Sequence, residues 1–257
     1  MESQRMSSSP EFAASTAYSR PSPRRDARIA GALYLVIIVC GAFAEAFVRQ
    51  RLRVPGDATA TVANILENER LYRLGFVADL VPLLLNMILA VLFFNLFRIV
   101  NTRVAGAVAL FIVAGAAIQA SVLVFHLAPL NLVQSLPAGL LTQGQVEGLA
   151  YAALRLQTSG YNVALAFVGC YAVGLGYLIL RASFLPRLIG ALMAFAGLCY
   201  LVNSFLSFVA PSLSSILLLL PVLLGEAGLT LWLLVFGVDS QRWERQAAAS
   251  GAHAASR

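Results

Sequence analysis

The residue with the clearest potential for chemistry is a glutamate inside an apolar segment. Glu226 lies within PVLLGEAGLTLWLLVFGV, the stretch from Pro221 to Val238, and no basic residue occurs within ten positions of it. An ionisable side chain is energetically costly inside a membrane, so such a residue is a candidate for binding a ligand or a proton. The alternative is structural: a protonated carboxyl that hydrogen-bonds to an asparagine or a backbone carbonyl of a neighbouring helix.

Further polar side chains occur within the apolar segments, mostly in the half of each segment that we assign to the outer side. They are Glu45, Asp79, Asn86, Gln119 and Asn203. Together with Glu226 they predict a ligand-binding site in a polar cavity, with the glutamate as its floor. The amide side chains also have a structural interpretation, because they can hydrogen-bond between helices.

Three of the ionisable residues have simple local explanations. Glu45 precedes Arg49 by four residues, a spacing that favours an ion pair on one helix face. Asp79 follows Arg70 and Arg73 closely, so pairing with either arginine is its structural alternative. His126 stands at the end of an apolar segment and is expected to be an interfacial residue, not a ligand.

The chain contains none of the short motifs that identify common catalytic sites. H-E-x-x-H, G-x-S-x-G and a P-loop are absent. Its three cysteines, Cys40, Cys170 and Cys199, have no C-x-x-C spacing, and it has only two histidines. We therefore predict no catalytic residue, no metal site and no cofactor. An intramembrane enzyme that uses its carboxylates as general acid or base is a minor alternative.

Composition places the chain among integral membrane proteins. Hydrophobic residues make up 60% of its 257 residues and charged residues 12%, whereas soluble domains average roughly 45–50% and 25%. The basic residues border apolar segments, and no basic aromatic surface suited to nucleic acid is evident. The predicted partners are the lipid bilayer and a small-molecule or lipid ligand, and not nucleic acid. The oligomeric state is left open.

Six apolar segments each reach the roughly 20 residues that a membrane-spanning helix needs. They are Ile29–Val48, Leu74–Phe97, Val104–Leu127, Thr158–Leu180, Leu188–Val209 and Ser214–Gly237. The predicted fold class is therefore all-α, a polytopic bundle of six transmembrane helices over residues 29–237. Residues 1–28 are predicted to be a disordered basic tail and residues 238–257 a second tail. An alternative for the first segment is a signal peptide cleaved at Ala42-Phe43-Ala44.

The arginines predict how the bundle is oriented. Two short loops, Arg98–Arg103 and Arg181–Arg187, share a side with both tails, and this side carries 12 arginines against 6 on the other. Positive charge is enriched on the cytoplasmic side of membrane proteins. The bias therefore predicts a multi-pass protein of the plasma membrane with both termini in the cytoplasm.

Each of the two long loops is predicted to contain an amphipathic helix. In the loop Arg49–Arg73, Asp57 precedes a helical stripe of apolar residues and is the expected N-cap. In the loop Ala128–Gln157, Thr142 and Gln145 have the spacing of a capping box. Both helices are expected to lie at the outer interface or to cover the bundle.

Several stretches of this sequence resemble a known family. They are ARIAGALYLVIIVCGAFAEAFVR, VPGDATATVANI, FVGCYAVGLGYLILRASFLPRLIGALMAFAGLCYLVNSF and GEAGLTLWLLVFGV. From Ala27 to Val238 the chain resembles the bacterial membrane-protein family called domain of unknown function 4386. The resemblance implies a helical bundle of about six spans and brings no established activity. The matching positions include Glu45, Pro55, Gly56, Asp57, Asn64, Arg73, Asp79, Pro186, Gly190, Tyr200, Glu226 and Trp232.

Two functions are compatible with these observations. The first is binding or transport of a small ligand or lipid through a polar cavity that opens to the outer face around Glu226. The second is a structural or regulatory membrane protein without catalytic activity, in which the polar residues only specify how the helices pack.

Overall fold

The structure is a computed structural model, and it describes residues 22–135, 140–214, 218 and 220–255. The described residues form ten α-helices and no β-strand, which confirms the predicted all-α class. The helices are α1 Pro23–Phe43, α2 Gln50–Leu52, α3 Ala58–Glu67, α4 Glu69–Phe97, α5 Thr102–Leu123, α6 Ala128–Ser135, α7 Gln143–Arg181, α8 Arg187–Val209, α9 Leu220–Val235 and α10 Ser240–Ala255. A π-helical turn, Ala44–Arg49, joins α1 to α2.

Six of these helices form a closed ring. Helices α1, α4, α5, α7, α8 and α9 each pack against the next in chain order, and α9 packs against α1. Five of them are long and apolar enough to cross a membrane, with α1 counted through to Leu52. Helix α9 has 16 residues in the structure, about 24 Å at 1.5 Å per residue, and the start of its predicted segment lies partly outside the described residues. The protein is thus a multi-pass membrane protein.

The ring has two different ends. One end, here called the terminal end, carries the start of α1, the two short loops and α10. The other, the cap end, carries a layer formed by α3, α6 and residues 143–156 of α7, which contact one another. A small apolar core at the cap end consists of Val48, Leu52, Ile65, Tyr72, Leu130 and Leu154. It fixes the layer, here called the cap, onto the π-helical turn, α2 and α4.

The predicted loop helices are both present, with one difference in extent. Asp57 caps α3, since its Oδ1 accepts a hydrogen bond of 2.8 Å from the backbone N of Ala60. Thr142 and Gln145 form the predicted capping box at the start of α7. The second loop helix is not separate, however, because α7 runs without a break into the fourth span. Burial of Leu154 in the cap core favours this continuity.

The tails also differ from expectation where they are described. Helix α1 begins at Pro23, earlier than the expected Ile29. A proline in the first turn needs no backbone N–H partner, and Asp26 in the same turn interacts favourably with the helix dipole. The C-terminal tail contains α10. Residues 1–21 of the predicted disordered tail lie outside the described residues.

Close backbone contact between α7 and α8 fixes the inner side chains of both helices. Gly176 lies so close to α8 that an added Cβ would stand 2.5 Å from the backbone N of Ala194 and 2.7 Å from the carbonyl of Gly190. Small residues allow this kind of approach between membrane helices. The contact sets the register between the tyrosines that α7 and α8 direct into the bundle.

Candidate functional site

A cavity of about 390 Å³ lies at the cap end, between the π-helical turn and helices α4, α5 and α7. Its lining combines ionised, polar and apolar side chains. The lining residues are Glu45, Arg49, Gln50, Arg53, Pro55, Asp79, Gln119, Val122, Leu123, Gln157, Thr158 and Tyr161. Three of the six predicted site residues, Glu45, Asp79 and Gln119, are therefore brought together here.

Arg49 holds the two carboxylates of this cavity. Its Nε donates to Glu45 Oε2 at 2.7 Å, and its Nη1 donates to Asp79 Oδ2 at 2.6 Å. The Asp79 side chain is 5% exposed and the Glu45 side chain 44%. Asp79 is thus buried against its partner, while Glu45 reaches the surface. The predicted pair of Glu45 with Arg49 is confirmed.

Asp79 does not pair with Arg70 or Arg73, which was its structural alternative; its partner is Arg49. Arg73 instead binds Glu69, with Nε to Oε1 at 2.7 Å. The reason is angular: at 3.6 residues per turn, residues 73 and 70 lie about 120° and 180° around the helix from residue 79. Asp79 faces the inside of the bundle, and the side chains of Arg70 and Arg73 lie on other faces of α4.

Arg53 is the second arginine of the cavity, and its partners are uncharged. Its Nη2 donates to Gln157 Oε1 at 2.6 Å, and its Nη1 donates to Thr158 Oγ1 at 3.2 Å. Its Nε is buried and makes no hydrogen bond to the described residues. In the part of the chain that the structure describes, no carboxylate forms an ion pair with it.

Glu226 lies outside the cavity lining, in a second cluster deeper in the bundle. Tyr200 Oη donates to Glu226 Oε1 at 3.2 Å, and the hydroxyls of Tyr34 and Tyr171 are 3.2 Å apart. Tyr34 is also close to the glutamate. We call these four residues the tyrosine–glutamate cluster. They come from α9, α8, α1 and α7, so the cluster joins four helices of the ring around a half-buried carboxyl.

Tyr161 lies between the cavity and the cluster. The guanidinium of Arg49 stands 5.8 Å from the centroid of its ring, a distance within the range of a cation–π contact. The tyrosine is also within electrostatic range of Glu226. Polar side chains therefore extend from the cap end toward the middle of the bundle.

A family model identifies the family of this chain. The model described as "Domain of unknown function (DUF4386)" matches residues 29–237. The chain belongs to the DUF4386 family. The match includes the cavity and the tyrosine–glutamate cluster, and it ends before α10. Neither a curated protein nor a solved structure matches the chain.

The remaining predicted site residues of the DUF4386 domain lie apart from the cavity lining. Asn203 is buried on α8 and accepts a hydrogen bond of 3.0 Å from Ser214 Oγ. Asn86 is half-buried on α4. His126, which was expected to be an interfacial residue and not a site residue, is fully buried, and its ring stacks on Tyr72 with centroids 4.1 Å apart.

Several residues of the cavity and of the tyrosine–glutamate cluster were not predicted as site residues. They include Arg49, Arg53, Gln157, Thr158, Tyr161, Tyr34, Tyr171 and Tyr200. The tyrosines of the DUF4386 domain carried a signal: Tyr34, Tyr171 and Tyr200 each place a hydroxyl inside an otherwise apolar segment. Arg53 carried no such signal, because it lies in a predicted loop and the sequence does not show where that loop runs. Among the described residues, no group of three or more histidines, cysteines or carboxylates is arranged to hold a metal ion.

Proposed function

We propose that this DUF4386 protein binds a small molecule or a lipid in the cavity at the cap end. The observation that supports this most directly is the cavity itself, about 390 Å³ of space lined by two arginines and two carboxylates. Ligand pockets typically measure about 300–1,000 Å³ and combine an apolar wall with a few convergent polar groups. Ionisable groups within a membrane bundle are costly and therefore usually functional.

The proposal includes the membrane and the orientation. The excess of arginine at the terminal end favours a cytoplasmic location for both termini, in the plasma membrane of a bacterial cell. The cap then faces the outside. Glu45, Gln50 and Pro55 line the cavity and reach the surface at this end, which supports a cavity open to the outer face.

Transport is the more demanding form of the proposal, because it requires a path through the bundle in addition to a binding site. The polar side chains continue from Arg49 through Tyr161 to Glu226, and beyond them the terminal end is closed by a tightly packed core. Phe93, Phe97, Leu178 and Ile179 are almost fully buried there. A transporter would need a second conformation that opens this core, while a receptor would need only the described one.

The experiment is a screen of soluble metabolites and lipids by thermal unfolding of the purified protein. A ligand that binds the native state raises the unfolding temperature. Gln119→Trp fills the cavity, and Leu110→Trp adds the same ring to the exposed face of the same helix, where residue 110 is 71% exposed. Stabilisation seen in the wild type and in Leu110→Trp but lost in Gln119→Trp supports the proposal. Stabilisation that survives Gln119→Trp, or none in the whole screen, contradicts it.

A structural or regulatory role is the second candidate function, and the tyrosine–glutamate cluster is the observation that favours it. Glu226 already has a hydrogen-bond donor in Tyr200, and Asn203 has one in Ser214. Polar contacts of this kind hold membrane helices together without any ligand. This role predicts that changes at Glu226 alter stability alone.

A further inference from the structure

We infer that the ligand of the cavity carries a single negative charge, as a carboxylate or phosphodiester group, and that Arg53 binds this group. The inference rests on the proposed function, because it assigns a ligand class to the same cavity. It follows from a difference between the two arginines: Arg49 is directly ion-paired with two carboxylates, whereas Arg53 hydrogen-bonds to uncharged oxygens.

Arg49 is already saturated by carboxylates. It makes charge-assisted hydrogen bonds of 2.7 Å and 2.6 Å to Glu45 and Asp79. With two acidic partners around one cation, this group of three carries a net charge of −1. Arg49 therefore cannot attract a further anion, and we assign it a structural role.

Arg53 forms no direct ion pair with a carboxylate of the described residues, and Glu45 and Asp79 act on it only through space. Its two hydrogen-bond partners, Gln157 Oε1 and Thr158 Oγ1, are uncharged oxygens. The hydroxyl of Thr158 donates in turn to the carbonyl of Leu154 at 3.0 Å, so the threonine presents its lone pairs to the arginine. Gln157 and Thr158 thus fix the guanidinium in position and leave its charge available.

The guanidinium also retains donors for a ligand. Arginine has five N–H groups, and the two described bonds use one on each Nη. Each Nη therefore keeps a second N–H, whereas the Nε–H is buried and does not face the cavity. A carboxylate or phosphodiester can accept two parallel bonds from the remaining N–H groups of Nη1 and Nη2, and such paired, charge-assisted bonds are strong.

The rest of the lining limits the anion to one charge and favours an apolar body. Glu45 and Asp79 also line the cavity and repel a group with several negative charges. Pro55, Val122 and Leu123 supply an apolar wall. Two sources have this chemistry, the headgroup and chain of an anionic lipid or a water-soluble organic acid.

The test uses the full chain in nanodiscs of zwitterionic lipid, with octanoate as the charged probe and octanol as its uncharged counterpart. Arg53→Gln removes the positive charge. Arg53→Lys keeps the charge but lacks the two parallel N–H donors of the guanidinium. Arg51→Gln is the matched control, because Arg51 is exposed, lies in the same segment and is not part of the cavity lining. A second set of nanodiscs containing phosphatidylglycerol tests the lipid source.

We expect octanoate to raise the unfolding temperature of the wild type and of Arg51→Gln. Arg53→Gln should bind it about 10- to 100-fold more weakly, the loss expected for a hydrogen-bonded charge, and Arg53→Lys should fall between. If phosphatidylglycerol stabilises the same two proteins and octanoate competes with it, the ligand is a lipid. If only octanoate acts, the ligand is a soluble organic acid.

Other results separate this inference from the proposed function. If octanoate stabilises Arg53→Gln as much as the wild type, the inference is wrong. A different outcome is that octanol raises the unfolding temperature of the wild type and of Arg53→Gln equally. If Gln119→Trp abolishes that rise, the cavity binds ligands but does not select anions. If neither octanoate nor phosphatidylglycerol stabilises the wild type, the anion site is contradicted, and the screen with Gln119→Trp then decides separately whether the cavity binds another ligand.

Discussion

Arg49 and Asp79 are joined by an ion pair of 2.6 Å across 30 positions of sequence. The pair connects the π-helical turn after α1 to the inner face of α4. A π-helical turn inserts an extra residue into the helix repeat and so rotates the side chains that follow it. In this protein the turn brings Arg49 onto both Glu45 and Asp79, and it thereby builds one wall of the cavity.

The first prediction concerns this ion pair. Asp79→Asn removes a buried charge and leaves Arg49 with only Glu45, whose side chain is 44% exposed. Breaking one side of a buried pair costs up to about 3–5 kcal/mol, and the remaining partners reduce this, so we expect a loss of about 1–3 kcal/mol in the free energy of unfolding. Chemical unfolding in detergent measures it.

The matched control is the exposed pair of Arg73 with Glu69 on the same helix. Both side chains are more than a third exposed, and exposed pairs contribute only about 0–1 kcal/mol. Glu69→Gln should therefore leave the unfolding curve almost unchanged. Equal effects of the two substitutions would show that Asp79 is not part of a structural ion pair.

The second prediction concerns the contact of α7 with α8. A Cβ at Gly176 would stand 2.5 Å from the backbone N of Ala194, and the backbone cannot give way as a side chain can. Gly176→Ala should destabilise the protein by about 1–3 kcal/mol, the usual cost of overpacking. Gly228→Ala is the control, because a Cβ there meets nothing within 4 Å. Alanine in an exposed helix position gains up to about 1 kcal/mol over glycine, so the two substitutions should have opposite signs in thermal unfolding.

The sequence predicts the spans well and the site only in part. Span prediction depends on local hydropathy, which the bilayer imposes on every crossing helix. The site depends on which helix faces meet, and this is set by the closure of the ring. Asp79 therefore pairs with Arg49 and not with the nearer arginines of its own helix. Glu226 was expected beside Asp79, but packing of α9 against α8 and α1 places it among tyrosines.

The third prediction concerns α10, which lies beyond the matched domain. Gly237 ends α9 with a φ of +68°, a conformation that other residues adopt at a cost. After this break α10 turns back across the terminal end, where Trp243 Nε1 donates to the carbonyl of Leu96 at 3.0 Å. Trp243→Phe removes this bond and should cost about 0.5–1.5 kcal/mol.

Ligand binding in the cavity is the control measurement for Trp243→Phe. Because α10 and the cavity lie at opposite ends of the ring, Trp243→Phe should not change the affinity for any ligand found in the screen. A shift in unfolding temperature with constant ligand affinity is the expected pair of results. A change in affinity would reveal coupling between the two ends.

The last prediction separates the two roles proposed for Glu226. Glu226→Gln keeps an oxygen that can accept the hydrogen bond from Tyr200, whereas Glu226→Ala removes it and leaves the hydroxyls of Tyr34 and Tyr200 without this carboxyl. If the residue only specifies packing, Glu226→Gln should be nearly as stable as the wild type and Glu226→Ala about 1–3 kcal/mol less stable, the cost of unsatisfied buried hydroxyls.

If the carboxyl takes part in transport, Glu226→Gln should retain both stability and ligand binding at the cap end but lose flux in reconstituted vesicles. Flux at the wild-type rate in Glu226→Gln would assign the glutamate to packing, since the amide preserves the shape of the side chain and removes only its ability to hold a charge or release a proton.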